Sequence, residues 1–375
     1  MRPSLNIGFD AKRAFQNSTG LGSYSRNTIC SLTEYFPENG YFLFTPDRNE
    51  RLFSPPPHVA LIAPESVWWN RVRPLWRRYK VTELAQKSGL DIFHGLSHEL
   101  PVGIEKTGIK TVVTMHDLIF LRFPHHFRAI DRAIYFRKCK HACQVSDRII
   151  AISQQTKKDL MHYFQVPEAK IDVVYQSVNP IFFQKNTSEE LDQTRKRYHL
   201  PDHFLLAPGT IEARKNLGNT LRAVDQGNIQ VPLVVAGKPT RYMKSLRPLI
   251  RKLGNRVIFL HKLTDTELSH LYQLAEVTVY PSFFEGFGLP VAEAQVCGCP
   301  VITSNISSMP EAGGDAALYI NPAHPEEIAA AIRRILEDPS FKKEMKEKGR
   351  QNAERFRAKT YAQTLLNIYQ NIHHA

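Results

Sequence analysis

The stretch Val277-Thr278-Val279-Tyr280-Pro281-Ser282-Phe283-Phe284-Glu285-Gly286-Phe287-Gly288-Leu289-Pro290-Val291-Ala292-Glu293 sets the architecture. Its first four residues run apolar and β-branched without polar alternation, the pattern of a strand covered on both faces. Pro281 and two glycines break the run, and a helical segment follows from Leu289. A strand, a glycine-rich loop and a helix in that order form half of a βαβ unit. Similar apolar runs recur throughout: Leu5 to Phe9, Tyr41 to Phe44, Asp91 to His94, Thr111 to Met115 and Arg148 to Ile152, then Phe204 to Ala207, Leu233 to Ala236, Val257 to Leu260 and Pro300 to Thr303. Two sets of five to seven strands predict two doubly wound α/β domains. The junction is expected near Asn179-Pro180, with the boundary at about residue 182.

The 375 residues suit two domains, and 42% hydrophobic with 23% charged residues is ordinary globular usage. Disorder, collagen and coiled coil are excluded as whole-chain descriptions. The 49 basic residues outnumber 36 acidic ones, a net charge of +13. That surplus is heavier in Met1 to Phe182, and it suits nucleic acid, an anionic membrane face or a phosphorylated small molecule. The 5 cysteines form no zinc-ligand set and point to a reducing compartment. Met1 to Asp10 lacks the apolar run of a signal peptide, and nowhere do 18 apolar residues run together. A cytoplasmic location is expected.

In open α/β sheets ligands bind beyond the carboxyl ends of strands. With two such domains in series, the cleft between them is the expected site. Four strand-end segments carry chemistry. Gly20-Leu21-Gly22 opens a helix, where backbone amides can approach an anion closely; a plain glycine turn is the alternative. His116-Asp117 closes a strongly apolar strand. Pro208-Gly209-Thr210-Ile211-Glu212-Ala213-Arg214-Lys215-Asn216 places two cations at the expected start of a helix, a combination suited to a diphosphate. In the fourth segment Gly286 and Gly288 can expose amides to phosphate and sugar oxygens, and Glu293 can accept hydrogen bonds from ribose hydroxyls.

Glu285 and Glu293, embedded in Glu-Gly-Phe-Gly-Leu-Pro, form a Glu-x7-Glu pattern. With the Gly20-x-Gly22 loop, His116-Asp117, Gly209 to Asn216, Val234 to Gly237 and Met309-Pro310-Glu311, it resembles the retaining nucleotide-sugar glycosyltransferases of family four. Their fold, called GT-B, has two Rossmann-like doubly wound domains facing across a cleft. The resemblance implies an acceptor-side domain over residues 1–182, a nucleotide-sugar domain over 183–355 and a helix over 356–375 returning to the first domain. It implies that Lys215, with Arg214 nearby, holds the diphosphate of the sugar donor, and that Glu293 binds its ribose. Glu285 and the amides of Phe287, Gly288 and Leu289 would hold the transferred sugar and its phosphate. His116 would contact that sugar, and Gly20 and Gly22 would border the diphosphate and acceptor. Many relatives carry arginine where Thr210 follows Gly209 here, so the first diphosphate cation must come from Arg214 or elsewhere. The loop style resembles mannosyltransferases, which implies GDP-mannose as donor, with UDP-glucose or another UDP-sugar as the alternative. The acceptor implied is a glycan or lipid-linked molecule in lipopolysaccharide or polysaccharide synthesis. No Asp-x-Asp motif is present, and no metal or further cofactor is implied. Retention implies same-face attack by the acceptor, with a covalent intermediate on Glu285 as the rival.

Ser66 to Lys80 holds all three tryptophans and five cations without an acid. Trp68, Trp69, Arg71, Arg73, Trp76, Arg77 and Arg78 suit an anionic membrane surface, which would place the protein peripherally at the inner face of the membrane. A helix burying its tryptophans is the other reading. A nucleic-acid partner is not expected, because no recognisable binding module accompanies the charge. A nucleotide-sugar epimerase of the same fold is a further alternative.

Overall fold

The computed structural model describes residues 4–48 and 51–374. Two compact units divide the chain: Met1–Ser177 with Ala358–Ala375, and Val178–Arg357. The change of unit precedes the Asn179-Pro180 turn. Val178 already donates its amide to Phe356 O at 3.0 Å, and Phe182 packs edge-on against Tyr272, both in the second unit.

The first unit holds a seven-stranded sheet: β1 (Asn6–Asp10), β2 (Gly40–Phe44), β3 (Ala60–Ile62), β4 (Ile92–Gly95), β5 (Lys110–Met115), β6 (Arg148–Ala151) and β7 (Ile171–Val173). Every pairing is parallel, in the order β3-β2-β1-β4-β5-β6-β7. The second holds six parallel strands: β8 (Leu205–Pro208), β9 (Leu233–Ala236), β10 (Val257–Leu260), β11 (Val277–Tyr280), β12 (Val301–Ser304) and β13 (Ala317–Ile320). Their order is β10-β9-β8-β11-β12-β13. Interior strands such as β8, β9 and β11 are buried at every position, which is why they read as unbroken apolar runs.

The Ala358–His373 helix is part of the first unit. Its Tyr361 hydroxyl meets Thr28 Oγ1 at 2.8 Å, and its Tyr369 hydroxyl meets His94 Nδ1 at 2.6 Å. Fully buried polar groups need such partners, so these contacts fix the helix's rotation as well as its position.

The segment Ser66 to Lys80 divides between core and surface, which corrects part of its expected membrane role. Trp76 is 2% exposed and belongs to the core with Val81, Phe93 and Leu100. Arg77 turns inward too, pairing with Asp10 at 2.5 Å and Glu99 at 2.6 Å. Neither side chain is available to a membrane. Trp69 is half-buried against the same core, and Arg73 pairs with Asp47 at 2.8 Å. Trp68, Arg71 and Arg78 remain exposed, beside the exposed Val67, Leu75 and Tyr79.

Candidate active site

In the second unit the strand order reverses direction between β8 and β11, and the third and fourth sequence segments leave the sheet there. Such a reversal opens a crevice between diverging loops. After β8, Gly209 adopts φ +100°, and a Cβ there would lie 2.7 Å from Lys215 Nζ. The glycine therefore makes room for the lysine head. A single 3-10 turn, Ala213–Lys215, follows, then Asn216 at φ +63°, and the helix runs over Leu217–Gln226. The two cations thus precede the helix rather than starting it. Asn216 explains why: its buried amide donates to Pro281 O at 3.0 Å and Pro322 O at 2.6 Å, tying the loop to its neighbour after β11. Thr210 lines the same small hollow as Gly209, Lys215, Thr220 and Tyr280.

Glu285 is the most heavily organised residue here. Its Oε1 accepts from the Tyr280 hydroxyl at 2.8 Å and Ser282 Oγ at 3.0 Å, and lies 2.7 Å from Arg214 Nη1. No hydrogen bond from a described residue reaches Oε2. The backbone is pinned as well: Ser307 Oγ accepts from Glu285 N at 3.2 Å, and Ser308 Oγ donates to Glu285 O at 2.8 Å. Burial opposes ionisation of this carboxyl. The charges of Lys215 and Arg214, with hydrogen bonds from Arg214 and Tyr280, outweigh burial and hold it below the usual carboxylate range. Arg214 also donates to Phe284 O and lies 3.3 Å from Glu212 Oε2. Its guanidinium is committed to Glu285 and the loop around it.

Lys215 differs. Its Nζ stands 5.6 Å from the centre of the Tyr280 ring, and no hydrogen bond or ion pair with a described residue engages it. Its charge bears on both Glu285 and Glu293. Glu293 lies within the Leu289–Val296 helix and accepts from the Tyr272 hydroxyl at 3.0 Å. Burial pushes its carboxyl up to about 7, against the Tyr272 hydrogen bond. Phe287 is buried against Phe356, with ring centres 5.6 Å apart, and Gly288 immediately precedes the helix. The first-turn amides of a helix, Leu289 among them, have no carbonyl partner within it and favour an anion.

The first unit carries the remaining candidates. Gly20 and Gly22 open the Gly20–Tyr35 helix after Thr19. A Cβ on Gly22 would lie 1.7 Å from Asn17 O, so the chain's own path demands glycine there. His116 packs edge-on against Tyr24 of that helix, 4.5 Å between ring centres, and stacks on His98 at 5.2 Å. Its Nε2–H donates to Leu96 O at 2.9 Å, and its backbone amide donates to His98 Nε2 at 3.0 Å. Burial, with the His98 charge adding to it, pushes the His116 imidazole down to about 3. Burial likewise takes His98 down to about 4. Both rings are neutral at physiological pH, and His116 is suited to a hydrogen bond with a neutral hydroxyl. Among the described residues no group of three or more His, Cys, Asp and Glu could hold a metal ion.

Glu285 and Glu293 stand out in the sequence, whereas Tyr280, Ser282, Tyr272, Ser307 and Ser308 gain a role only from the fold. Tyr280 and Ser282 lie at the strand end that carries the Glu-x7-Glu pattern, and that position is their signal in the sequence. Tyr272 and the two serines come from distant segments and carry no local mark.

Residues 189–352 match the model for glycosyl transferases group 1, and residues 26–181 match that for Glycosyltransferase Family 4. The chain is 30% identical over 286 residues to O-antigen chain mannosyltransferase B of Escherichia coli, covering 74% of each chain. It is 27% identical to O-antigen chain mannosyltransferase RfbU of Salmonella typhimurium, covering 87% of this chain and 90% of that one. Against the serotype-specific mannosyltransferase WbdA of Escherichia coli, at 32% identity, the match spans only 32% of the relative. A solved glycosyltransferase structure from Rickettsia africae superposes with a TM-score of 0.76 over 98% of both chains at 19% identity, a likeness of fold. The architecture is GT-B, with two Rossmann-like parallel sheets. The chain belongs to glycosyltransferase family four.

Proposed function

We propose that the chain moves a hexose from a nucleotide sugar to a glycan or lipid-linked acceptor, with retention of configuration, in lipopolysaccharide or polysaccharide synthesis. The carrying observation is the grouping of Lys215, Glu285 with its clamp, and Glu293 around the β8/β11 reversal. The names of the O-antigen mannosyltransferases support mannose as the sugar and GDP-mannose as the donor. A UDP-sugar is the alternative.

Cleavage of the bond between sugar C1 and the phosphate oxygen builds negative charge on the diphosphate and positive charge on the ring. Lys215 and the amides at Gly288 and Leu289 stabilise the diphosphate. The acceptor hydroxyl attacks C1 from the face the diphosphate leaves, and its proton passes to the departing phosphate oxygen. Ionised Glu285 positions the sugar through its open oxygen, and Glu293 takes the ribose. The diphosphate is stabilised by protein groups without a divalent cation.

A thermal-shift screen of GDP, UDP, ADP and their sugars tests this. One nucleotide family at a hundredfold excess over its Kd should add about 2.7 kcal/mol and raise the Tm by several degrees. No shift with any nucleotide would overturn the proposal. The ligand's stabilising effect should also grow as pH rises through about 7, because ribose hydroxyls donate to the ionised form of Glu293. The ligand-free fold should lose stability between about pH 4.5 and 7 and level off above that. It holds a proton up to about 7 that the unfolded chain releases around 4.5. Glu293→Gln should flatten both trends.

Trp68, Arg71 and Arg78, with exposed Val67, Leu75 and Tyr79, support peripheral contact with an anionic membrane surface at its cytoplasmic face. Among the described residues no helix is long and apolar enough to cross a membrane. Vesicles containing anionic lipid should float the protein, and the Trp68→Ser/Tyr79→Ser variant should remain at the bottom of the gradient. Equal flotation of both proteins would remove the assignment.

A further inference from the structure

The first sheet has its own reversal of strand order, between β1 and β4. The segments leaving the sheet there carry Lys12 and Arg13 after β1, and His98 and Glu99 after β4. The rule that locates the nucleotide-sugar candidates in the second unit directs attention to this reversal in the first.

Four basic residues gather at it, and two of them are paired. Arg77 bridges Asp10 and Glu99, at 2.5 and 2.6 Å, and Lys138 reaches the other oxygen of Glu99 at 3.1 Å. Lys12 feels the charges of Glu99 and Asp10, and its backbone amide donates to Asp10 Oδ1 at 3.3 Å, but neither its ammonium nor the Arg13 guanidinium closes an ion pair with either acid. Among the described residues no side chain makes an ion pair or hydrogen bond with either head group, and Arg13 Nε is buried without an acceptor. Both side chains are half-buried. Burial, followed by the Arg77 charge, lowers the Lys12 pKa from its ordinary value, and the Arg13 charge bears on both His98 and His116. Half-buried cations that close no direct ion pair, beside acids already bound to Arg77 and Lys138, carry a cost that the fold recovers only in part. An arriving anion would recover it, and a guanidinium beside an ammonium suits an anion with several oxygens.

We propose that Lys12 and Arg13 form an anion subsite for the acceptor, taking a phosphate or diphosphate group that the acceptor carries. The acceptor's part in this rests on the glycosyltransferase reading; the existence of an anion site does not. Phosphoryl oxygens could also come from the nucleotide sugar, and the test separates these sources.

Inorganic pyrophosphate is titrated into the full-length ¹⁵N-labelled protein while the Arg13 Nε–H resonance is followed. That signal is assigned by its loss in Arg13→Gln. The titration is repeated with saturating GDP and with saturating UDP. The expected result is a saturable shift of the Arg13 signal that persists with nucleotide present. Lys12→Ala should weaken it about 10-fold or more, with the remaining amide spectrum showing an intact fold. An Arg13 resonance unmoved by millimolar pyrophosphate overturns the subsite. A shift abolished by either nucleotide assigns the anion to the sugar donor and overturns the acceptor role. If neither nucleotide binds while pyrophosphate still moves Arg13, the nucleotide-sugar reading fails and the anion subsite stands.

Discussion

Lys215→Ala is expected to lower transfer about 100- to 1000-fold, the scale of losing one preorganised group that faces developing charge, or roughly 2.7–4 kcal/mol of barrier. The fold should be unaffected. The Lys215 head group makes no ion pair or hydrogen bond with a described residue, and the backbone bond from its amide to Glu212 O survives the substitution. Its proximity to Gly209 means that truncation opens space rather than forcing a clash. Nucleotide release from the sugar donor, measured at saturation alongside the ligand-free melting temperature, checks both parts. Near-normal turnover would remove Lys215 from the diphosphate role. A large fall in melting temperature would show that the lysine had been a structural residue.

Arg214→Met should be nearly as damaging, for a different reason. The guanidinium is 12% exposed, pairs with Glu285 and holds the Phe284 carbonyl. Removing one member of a buried pair leaves the other charge uncompensated, typically costing about 3–5 kcal/mol. Glu285 can reduce that cost by taking up a proton, since burial already favours its neutral form. The acidic limb of the activity profile should therefore move to higher pH, and kcat should fall about 100-fold. A residue that contacted only the diphosphate would instead raise the KM for the sugar donor and leave the pH limb in place. Arg214→Lys should restore part of kcat and most of the acidic limb. The double variant Arg214→Met/Glu285→Gln should cost far less than the sum of its parts, as coupled neighbours do.

The two predictions differ because adjacent cations have different surroundings, and that difference could not be read in the sequence. Arg214-Lys215 is a basic pair after a strand, and both residues were natural diphosphate ligands. Asn216, with its left-handed backbone and two carbonyl contacts, ties down the loop in which Arg214 pairs with Glu285 while the Lys215 head group acts on that carboxylate through its charge alone. Such turns depend on loops brought together from residues 216, 281 and 322, which no local pattern encodes. Strand-end positions were legible because burial on both faces imposes an apolar run. Edge strands were less so. β3 is three residues long and nowhere fully buried, and β13 is only half-buried over its first three positions. Neither had the uninterrupted hydrophobicity that marked β8 or β11. Trp76 and Arg77 show the same limit at the side-chain level. A run of cations and tryptophans without acids reads as one surface. The acids that draw Arg77 inward are Asp10 and Glu99, on other segments.

The placement of the Ala358–His373 helix bears on how the chain is made. A ribosome completes the first sheet and then the whole of Val178–Arg357 before that helix emerges. Until then Thr28 and His94 lack the tyrosine hydroxyls that satisfy them, and the surface that will cover Tyr361, Leu365 and Tyr369 stays wet. The second unit can be complete while the first still waits, so the order of synthesis and the order of maturation run in opposite directions. A nascent chain is thus left with an unfinished first unit until its closing piece, translated after the whole of the second unit, has emerged.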